Sequence, residues 1–453
     1  MRRFKQAALA AAIAGGIGAA TQAQAANWLK LQGTEPPGAA ARARVWGFIQ
    51  PEYQRTDGTK LKAGPFSGKD AAFNMVRPDL KTDNGFNVIR ARLGVRGTGF
   101  PLDSRVNYFL LAEFGNNGIT RQGGGSVKLT DASVTLNHIK GARIRIGQFK
   151  YPGAEEGLQA IHVFDYINFT NVTNQLLLER FFDYDGTGTA GGSYTASNGN
   201  KPNGPVGAFR DIGIQVFDFF RRGSWEHSYA VMVGNGNGIT RGDNNGSKDV
   251  YLYWSSEWVF GGKGPRRQGW KLFAWYQKGD RTITLEKGDN STANDETKDV
   301  ERKRWGVGTT YRRGRWRAAA EYVKAEGMIF NGTDGGAVPG TKNGAGTWVA
   351  GFNVLTDEEA DGWYVDVGFK PHPAWELDLR YDRLNRGTKV ASNERLFETW
   401  TLGVQYFFNK KSRLIVNYEF RDAEAPNLAD TATPNKILDG MDDRLSAQLL
   451  IIF

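Results

Sequence analysis

Residues 398–420 read "ETWTLGVQYFFNKKSRLIVNYEF". In the first half, Trp400, Leu402, Val404, Tyr406 and Phe408 fall on one parity and Thr399, Thr401, Gly403 and Gln405 on the other. Successive side chains of a strand point to opposite faces, so this period-2 pattern is a strand with one apolar and one polar side. The run stops at "FNKKSR", a short polar connection, and the chain then turns back, with Glu419 on the polar parity. A β-sandwich alternates in the same way, so the unit alone leaves two architectures open.

Working outward, the unit recurs along the chain. In "FNVIRARLGVRG", Ile89, Ala91, Leu93 and Val95 oppose Arg90, Arg92 and Arg96. In "GARIRIGQFK", Ala142, Ile144 and Ile146 oppose Arg143 and Arg145. In "GWYVDVGFK", Trp363, Val365, Val367 and Phe369 oppose Tyr364, Asp366 and Lys370. The connections separate the two architectures. Short ones (Thr98 to Ser104, "HIKGAR", "FRRGSW", "GGKGPRRQG", "YRRGRW", "KPHPAW", "FNKKSR") alternate strictly with long polar ones near 57–85, 116–126, 151–208, 235–247, 280–300, 327–360, 387–396 and 422–441. Seven short and eight long connections join sixteen strands, with both chain ends on the short-turn side. A sandwich has no reason to segregate loop lengths to one end. The pattern predicts an all-β, 16-stranded antiparallel transmembrane β-barrel with short periplasmic turns and long extracellular loops in a Gram-negative outer membrane. Rings flank five successive short turns: Phe219, Phe220 and Trp225; Phe260 and Trp270; Tyr311 and Trp316; Phe369 and Trp375; Phe407 and Phe408. An interfacial girdle has this placement, because Trp and Tyr pair an apolar body with a polar tip. A mean hydropathy of −0.48 is compatible with a barrel of this kind, one face of each strand meeting lipid and the other a wet lumen.

The ends fit the same compartment. Met1 to Gln6 is cationic, Ala7 to Ala20 is apolar and small, and Ala23-Gln24-Ala25 is an A-x-A site. Residues 1–25 are expected as a signal peptide, 26–43 as a short N-terminal periplasmic segment, and 44–453 as the barrel. Removing Arg2, Arg3 and Lys5 with the leader takes the formal charge from +10 to +7. That suits anionic solutes and lipopolysaccharide phosphates; no nucleic-acid module is visible. At the other end, "LSAQLLIIF" sets Leu445, Ala447, Leu449, Ile451 and Phe453 against Arg444, Ser446 and Gln448. It is expected to pair with Val45 to Tyr53 and close the barrel, with Phe453 resembling the address read by the barrel assembly machinery.

Absence of cysteine excludes disulfides and Cys-ligated metals, and His138, His162, His227 and His372 have no metal spacing. No cofactor and no catalytic residues are expected. The Gly-rich "GNGNGITRG" from Gly234 is not followed by a helix and reads as an extracellular loop rather than a phosphate cradle.

Polar parity carries Arg90, Arg92, Arg96, Arg105, Arg143 and Arg145 inward on the first strands, and Arg315 and Arg317 near the periplasmic rim. Planar, permanently charged guanidinium groups at alternate positions would make a track for anions. The same reckoning turns Glu113, Asp131, Glu321, Asp366, Glu376, Asp378, Asp382 and Glu419 inward, so mutual neutralisation stands beside the anion track. The longest connection, 151–208, begins with "LQAIHVFDYINFTNVTNQLLLERFF", whose apolar content must be buried. The lumen wall is the available place. That makes it an inward-folded constriction loop, with Lys150, Glu155, Glu156, Glu179 and Arg180 near the narrowing.

"NVIRARLGVRG", "YFLLAEFG", "LTDASVTL", "IRIGQFKYP" and "LLER" together resemble the phosphate-selective porin O/P family, most sharply from Asn87 to Arg180. The resemblance implies a sixteen-stranded homotrimeric porin with an arginine ladder, here Arg90, Arg92, Arg96, Arg143 and Arg145, and Lys150 at the loop entry. A departure is Tyr151-Pro152-Gly153-Ala154-Glu155-Glu156, whose acidic pair works against strict phosphate selectivity. The expected function is passive diffusion of small anions, phosphate among them. A non-selective general porin is the alternative within this class. An outer-membrane lipid hydrolase or adhesin barrel is the alternative outside it.

Overall fold

Alternation along the chain becomes a closed wall. The computed structural model describes residues 27–31, 33–34, 43–64, 67–68, 70–77, 82–99, 103–117, 127–179, 207–239, 242–285, 296–330, 341–342, 348–349 and 354–453. Sixteen strands follow one another as β1 (Arg44–Arg55), β2 (Asn84–Gly99), β3 (Asp103–Glu113), β4 (Lys128–Ile139), β5 (Ala142–Lys150), β6 (Arg210–Arg222), β7 (Trp225–Gly234) and β8 (Asp249–Gly261), then β9 (Gln268–Leu285), β10 (Glu296–Arg313), β11 (Trp316–Glu326), β12 (Glu359–His372), β13 (Trp375–Arg386), β14 (Arg395–Asn409), β15 (Ser412–Glu424) and β16 (Arg444–Ile452). Each pairs with the next, and β16 returns to β1. At that seam Phe48 faces Ile452 and Tyr53 faces Ala447, while Phe453 N–H donates to the Gly47 carbonyl (3.0 Å) and Gly47 N–H to the Phe453 carbonyl (3.1 Å). The closing strand is where the sequence put it, and no edge is left unpaired.

The apolar parity faces outward. Leu402 and Val404 are exposed where Thr401 and Gln405 are buried. Two ring belts flank this band. Trp316 packs on Phe369 (4.4 Å) and Trp375 on Tyr406 (4.7 Å) at the periplasmic end; Trp363, Tyr381 and Trp400 pack in series with tilted rings (5.2 and 4.6 Å) toward the other. Trp400 and Phe408 are eight residues apart on β14. At ~3.3 Å per residue that is about 26 Å, reduced to roughly 20 Å by the tilt of barrel strands, close to the height of an outer-membrane apolar band.

Four expectations change. The connection read at 280–300 shrinks to 286–295, because the polar Thr- and Lys-rich residues on either side continue the β9–β10 ladder as far as Glu296 opposite Leu285. Ile89, read as lipid-facing, is buried: the register slips between Gln50 and Pro51, leaving Ile89 unpaired, and a bulge reverses parity locally. Phe219 and Phe407 leave the girdle and turn inward, each under a cation: Lys30 lies 4.7 Å from the Phe219 ring and Lys370 4.1 Å from Phe407. Finally, residues 27–31 and 33–34 of the segment read as periplasmic lie inside the barrel. The short helix α1 (Trp28–Leu31) is buried among inward-facing side chains of the early strands.

Sixteen strands enclose more space than wall side chains fill. Residues 151–179 fill much of it, as α2 (Glu155–Leu158), a 3₁₀ turn (Ile161–Val163) and α3 (Asn171–Leu176). Leu158, Val172, Leu176, Leu177 and Leu178 form one core with Phe149, Phe217, Met232, Tyr251 and Trp275 of the wall. Up to Glu179 this connection packs on the inward side of the wall; Arg180 and residues 181–206 lie outside the described residues.

Candidate functional site

The narrowing is built by residues 151–179. Its second helix starts where Thr170 Oγ1 accepts from Thr173 N–H (3.2 Å), an ordinary N-cap. Its apolar side then lies inward of the barrel wall, and charged groups fix it at intervals. Lys150 donates to the carbonyls of Gly157 and Gln159 (2.7 Å each), so it closes the end of α2 rather than pointing into open lumen.

Each acid singled out by the sequence is held by a wall cation. Glu155 accepts from Lys271 Nζ (2.6 Å) and Trp28 Nε1 (3.0 Å). Glu156 accepts from Arg380 Nη1 (3.2 Å) and Thr170 Oγ1 (2.6 Å). Glu179, at φ +54°, lies between Arg281 (2.9 Å to each oxygen) and Arg302 (2.9 Å). Burial alone would raise the Glu179 carboxyl, but Arg281 and Arg302 bring it down to about 2. A fourth acid, Asp165, sits among Arg266 (2.5 Å), Arg317 (3.4 Å), Arg413 (3.6 Å) and Arg312 (3.8 Å). Against its burial, these four hold it well below the usual carboxylate range. Buried pairs of this kind add little net stability, yet breaking one costs about 3–5 kcal/mol, so they fix the loop's position more than they strengthen the fold.

The expected ladder is not a row of open guanidinium groups. Arg92 pairs with Glu113 (2.7 Å), and Arg143 pairs with Asp218. Arg90 donates to Gln50 (3.2 Å). Arg96 Nη2 donates to the Thr34 carbonyl (2.9 Å) and Arg145 Nη2 to the Leu29 carbonyl (3.0 Å). Arg317 is shared by Asp366, Glu376 (2.5 Å) and Asp378 (2.7 Å). Arg105 and Arg315 belong to the periplasmic rim: Arg105 is exposed and chelated by Asp103 (2.6 Å), and Arg315 donates to the Pro371 carbonyl (3.3 Å). Of the inward acids, Asp131 pairs with Arg210 (3.0 Å), Glu419 with Arg444 (2.7 Å), and Glu321 accepts from Trp275 (2.7 Å) and Tyr364 (2.9 Å). Asp382 accepts from Asn171 N–H (2.8 Å).

Among the described residues, a cavity lies on each side of the loop. The outer, about 50 Å³, is lined by Arg77, Arg90, Arg421 and Arg444 against Glu52, Asp382 and Glu419. The inner, about 90 Å³, lies toward the periplasmic turns and includes Arg266, Arg312, Arg317 and Asp165. Sequence reasoning missed Arg266, Arg281, Arg302, Arg380 and Arg413. A signal was available for some: Arg302 alternates with outward Trp305 and Val307, and Arg380 with outward Leu377 and Leu379. For Arg266, in a turn, there was none.

Residues 277–438 match the family model for phosphate-selective porin O and P, which bears out the resemblance read from the sequence. The match covers β9 to β15 rather than the Asn87–Arg180 stretch where the likeness looked sharpest. No curated protein matches the sequence. Among solved structures, OmpF of Salmonella typhi in complex with daunomycin is similar at 14% identity, over 91% of this chain and 97% of that one, with a TM-score of 0.52. OmpT, an outer membrane protein of Vibrio cholerae, is similar in its loop L8 deletion form at 13% identity, over 92% of this chain and 100% of that one, with a TM-score of 0.51. Its in-vitro folded trimer form matches at 12% identity over the same shares, with a TM-score of 0.50. At these identities the likeness is one of fold. Barrel and family segment together make this an outer-membrane channel protein.

Proposed function

We propose that the protein is a passive diffusion channel preferring small anions, with phosphate as the candidate ion. The observation that carries this reading is the neutralisation of the loop acids. Glu155, Glu156 and Glu179, which would repel anions if open, each face a wall cation. The outer cavity keeps four arginines against three carboxylates. Transport requires such attraction to be weak and spread over several groups, since a tight site would retain the ion. The match to the porin O and P model supports phosphate as the ion to test first.

Reversal potential under a salt gradient in planar bilayers tests the preference. A potential of the anion-selective sign is expected, and phosphate should reduce chloride conductance in a saturable way. A zero or cation-selective potential overturns the reading in favour of a general porin.

A homotrimer fits the outer surface. Outward Trp225, Trp254, Trp258, Trp270, Trp305, Trp316, Trp363, Trp375 and Trp400 all lie on β7–β14, and among the described residues none lies on the outward face of β15, β16 or β1–β6. Indole rings favour the lipid interface, so a wall without them suits contact with other copies. The mass of the detergent-solubilised barrel checks this.

A further inference from the structure

We propose that Asn27–Thr34 is a tethered plug, docked inside the periplasmic third of the lumen, that caps Arg96 and Arg145 and restricts the channel. The segment touches six neighbouring strands in order. Arg96 of β2 donates to the Thr34 carbonyl, and Gly33, at φ +79°, lies so close to Phe109 of β3 that a β-carbon would come within 3.0 Å of it. That Cβ would also meet Ser133 of β4 at 3.4 Å. Arg145 of β5 donates to the Leu29 carbonyl, Phe219 of β6 lies under Lys30, and Asn27 donates to Ser228 of β7. Arg96, Arg145 and Ser228 are each three residues from a periplasmic turn, which sets the depth.

The segment also reaches the constriction. Trp28, 7% exposed, donates to Glu155 of the loop, and Leu29, 3% exposed, joins the core that holds Leu158 and Leu176. Arg145, 1% exposed, has no carboxylate within ion-pair distance among the described residues: its partners are Thr135 (3.2 Å), the Leu29 carbonyl, and the Phe149 and Phe217 rings. A guanidinium group at the mouth of a channel is thus satisfied by the segment that precedes the first strand. The eight residues 35–42 separate it from Ala43.

Docking is opposed by one group. Burial first, then Arg143 on β5 and Arg221 on β6, lower the Lys30 ammonium to about 8, with Glu226 on β7 acting the other way. A base lowered from 10.5 in the docked state disfavours docking while protonated, so docking strengthens as pH rises above about 8.

The test uses the mature channel in planar bilayers. Deleting residues 26–38 behind the intact signal peptide should raise single-channel conductance severalfold and shift the reversal potential further toward anions, because Arg96 and Arg145 are uncovered. Heat-modifiable gel migration verifies that the variant folds. In a chain without native cysteine, N27C/S228C should cross-link on oxidation and hold conductance at the low, docked value, unchanged from pH 7 to 10. Reduction should restore a conductance that falls with rising pH. Unchanged conductance of the folded deletion variant, or failure of N27C/S228C to cross-link, overturns the plug. Conductance size is independent of ionic preference, so a cation-selective wild type would sink the anion reading and leave this inference standing.

Discussion

Replacing Asp165 with Asn puts the electrostatics of the inner cavity to a quantitative test. Arg266 and Arg312 pair with no other carboxylate among the described residues, whereas Arg317 keeps Asp366, Glu376 and Asp378. The substitution keeps the side-chain shape, removes one negative charge, and turns two guanidinium groups toward the cavity without a counter-charge. An anion passing about 6 Å from the Asp165 carboxylate is repelled by ~0.7 kcal/mol at the dielectric of water and ~3 kcal/mol at an effective dielectric near 20. With ~1.4 kcal/mol per factor of ten, D165N should raise anion permeability between roughly threefold and roughly a hundredfold and lower cation permeability by the same factor, so the anion-to-cation ratio should rise at least about tenfold. Reversal potentials of wild type and variant under the same salt gradient give the ratio directly. Low ionic strength enlarges the effect, since screening at high salt suppresses it. A ratio unchanged within error would mean that permeating ions do not pass this cavity. A variant with unchanged ratio but noisier current would place Asp165 among the loop's anchors alone.

Three further outcomes follow from the geometry. Arg281→Met strips Glu179 and Asp249 of their shared partner and should destabilise the loop end by about 3–5 kcal/mol, read as lower thermal stability and loss of steady current; combining it with E179Q should recover part of that loss. Because Glu179 is lowered from 4.5 to about 2, its contribution to docking is complete above about pH 4.5 and declines as pH falls through 2. Fluorescence of Trp28 and Trp275, both beside the loop, should hold steady from pH 7 to 5 and change below 4.5. Deleting Phe453 removes both of its backbone hydrogen bonds to Gly47 at the seam, so the heat-modifiable folded fraction should drop while channels that do insert keep wild-type conductance.

Local alternation was enough to read the strand ladder, the seven turns and the closing pair of β1 and β16, because each follows from side chains two residues apart. What failed was non-local or depended on a single slip. The bulge at Ile89 is set by the partner strand and cannot be seen in "NVIRARL" alone. The polar ends of β9 and β10 look like loop because a strand beyond the membrane has no lipid face to reveal it. Ion-pair partners were the least legible. Glu156 and Arg380 are 224 residues apart, and the sequence offered both parities without saying which inward acid meets which inward base.

That difficulty bears on where selectivity can arise. Among the described residues, buried arginines and lysines number fourteen, and buried aspartates and glutamates seventeen, so the deeply buried charges there carry no cationic excess. Most are locked to one another across the loop and wall, and a locked pair presents little field to a passing ion. On the proposed reading, the preference would rest on charges lining the cavities: Arg77 and Arg421 in the outer one, and Arg266 and Arg312 in the inner one. An inward parity is therefore not sufficient to make an arginine an anion guide. Arg92 has that parity and holds Glu113; Arg266 has no strand parity and lines the cavity. Substituting Arg92 should thus cost folding stability, through loss of the cation that faces buried Glu113, while substituting Arg312 should cost anion preference with little loss of stability. If instead the reversal potential moved with Arg92 and not with Arg312, the ladder on β2 would be the anion path after all.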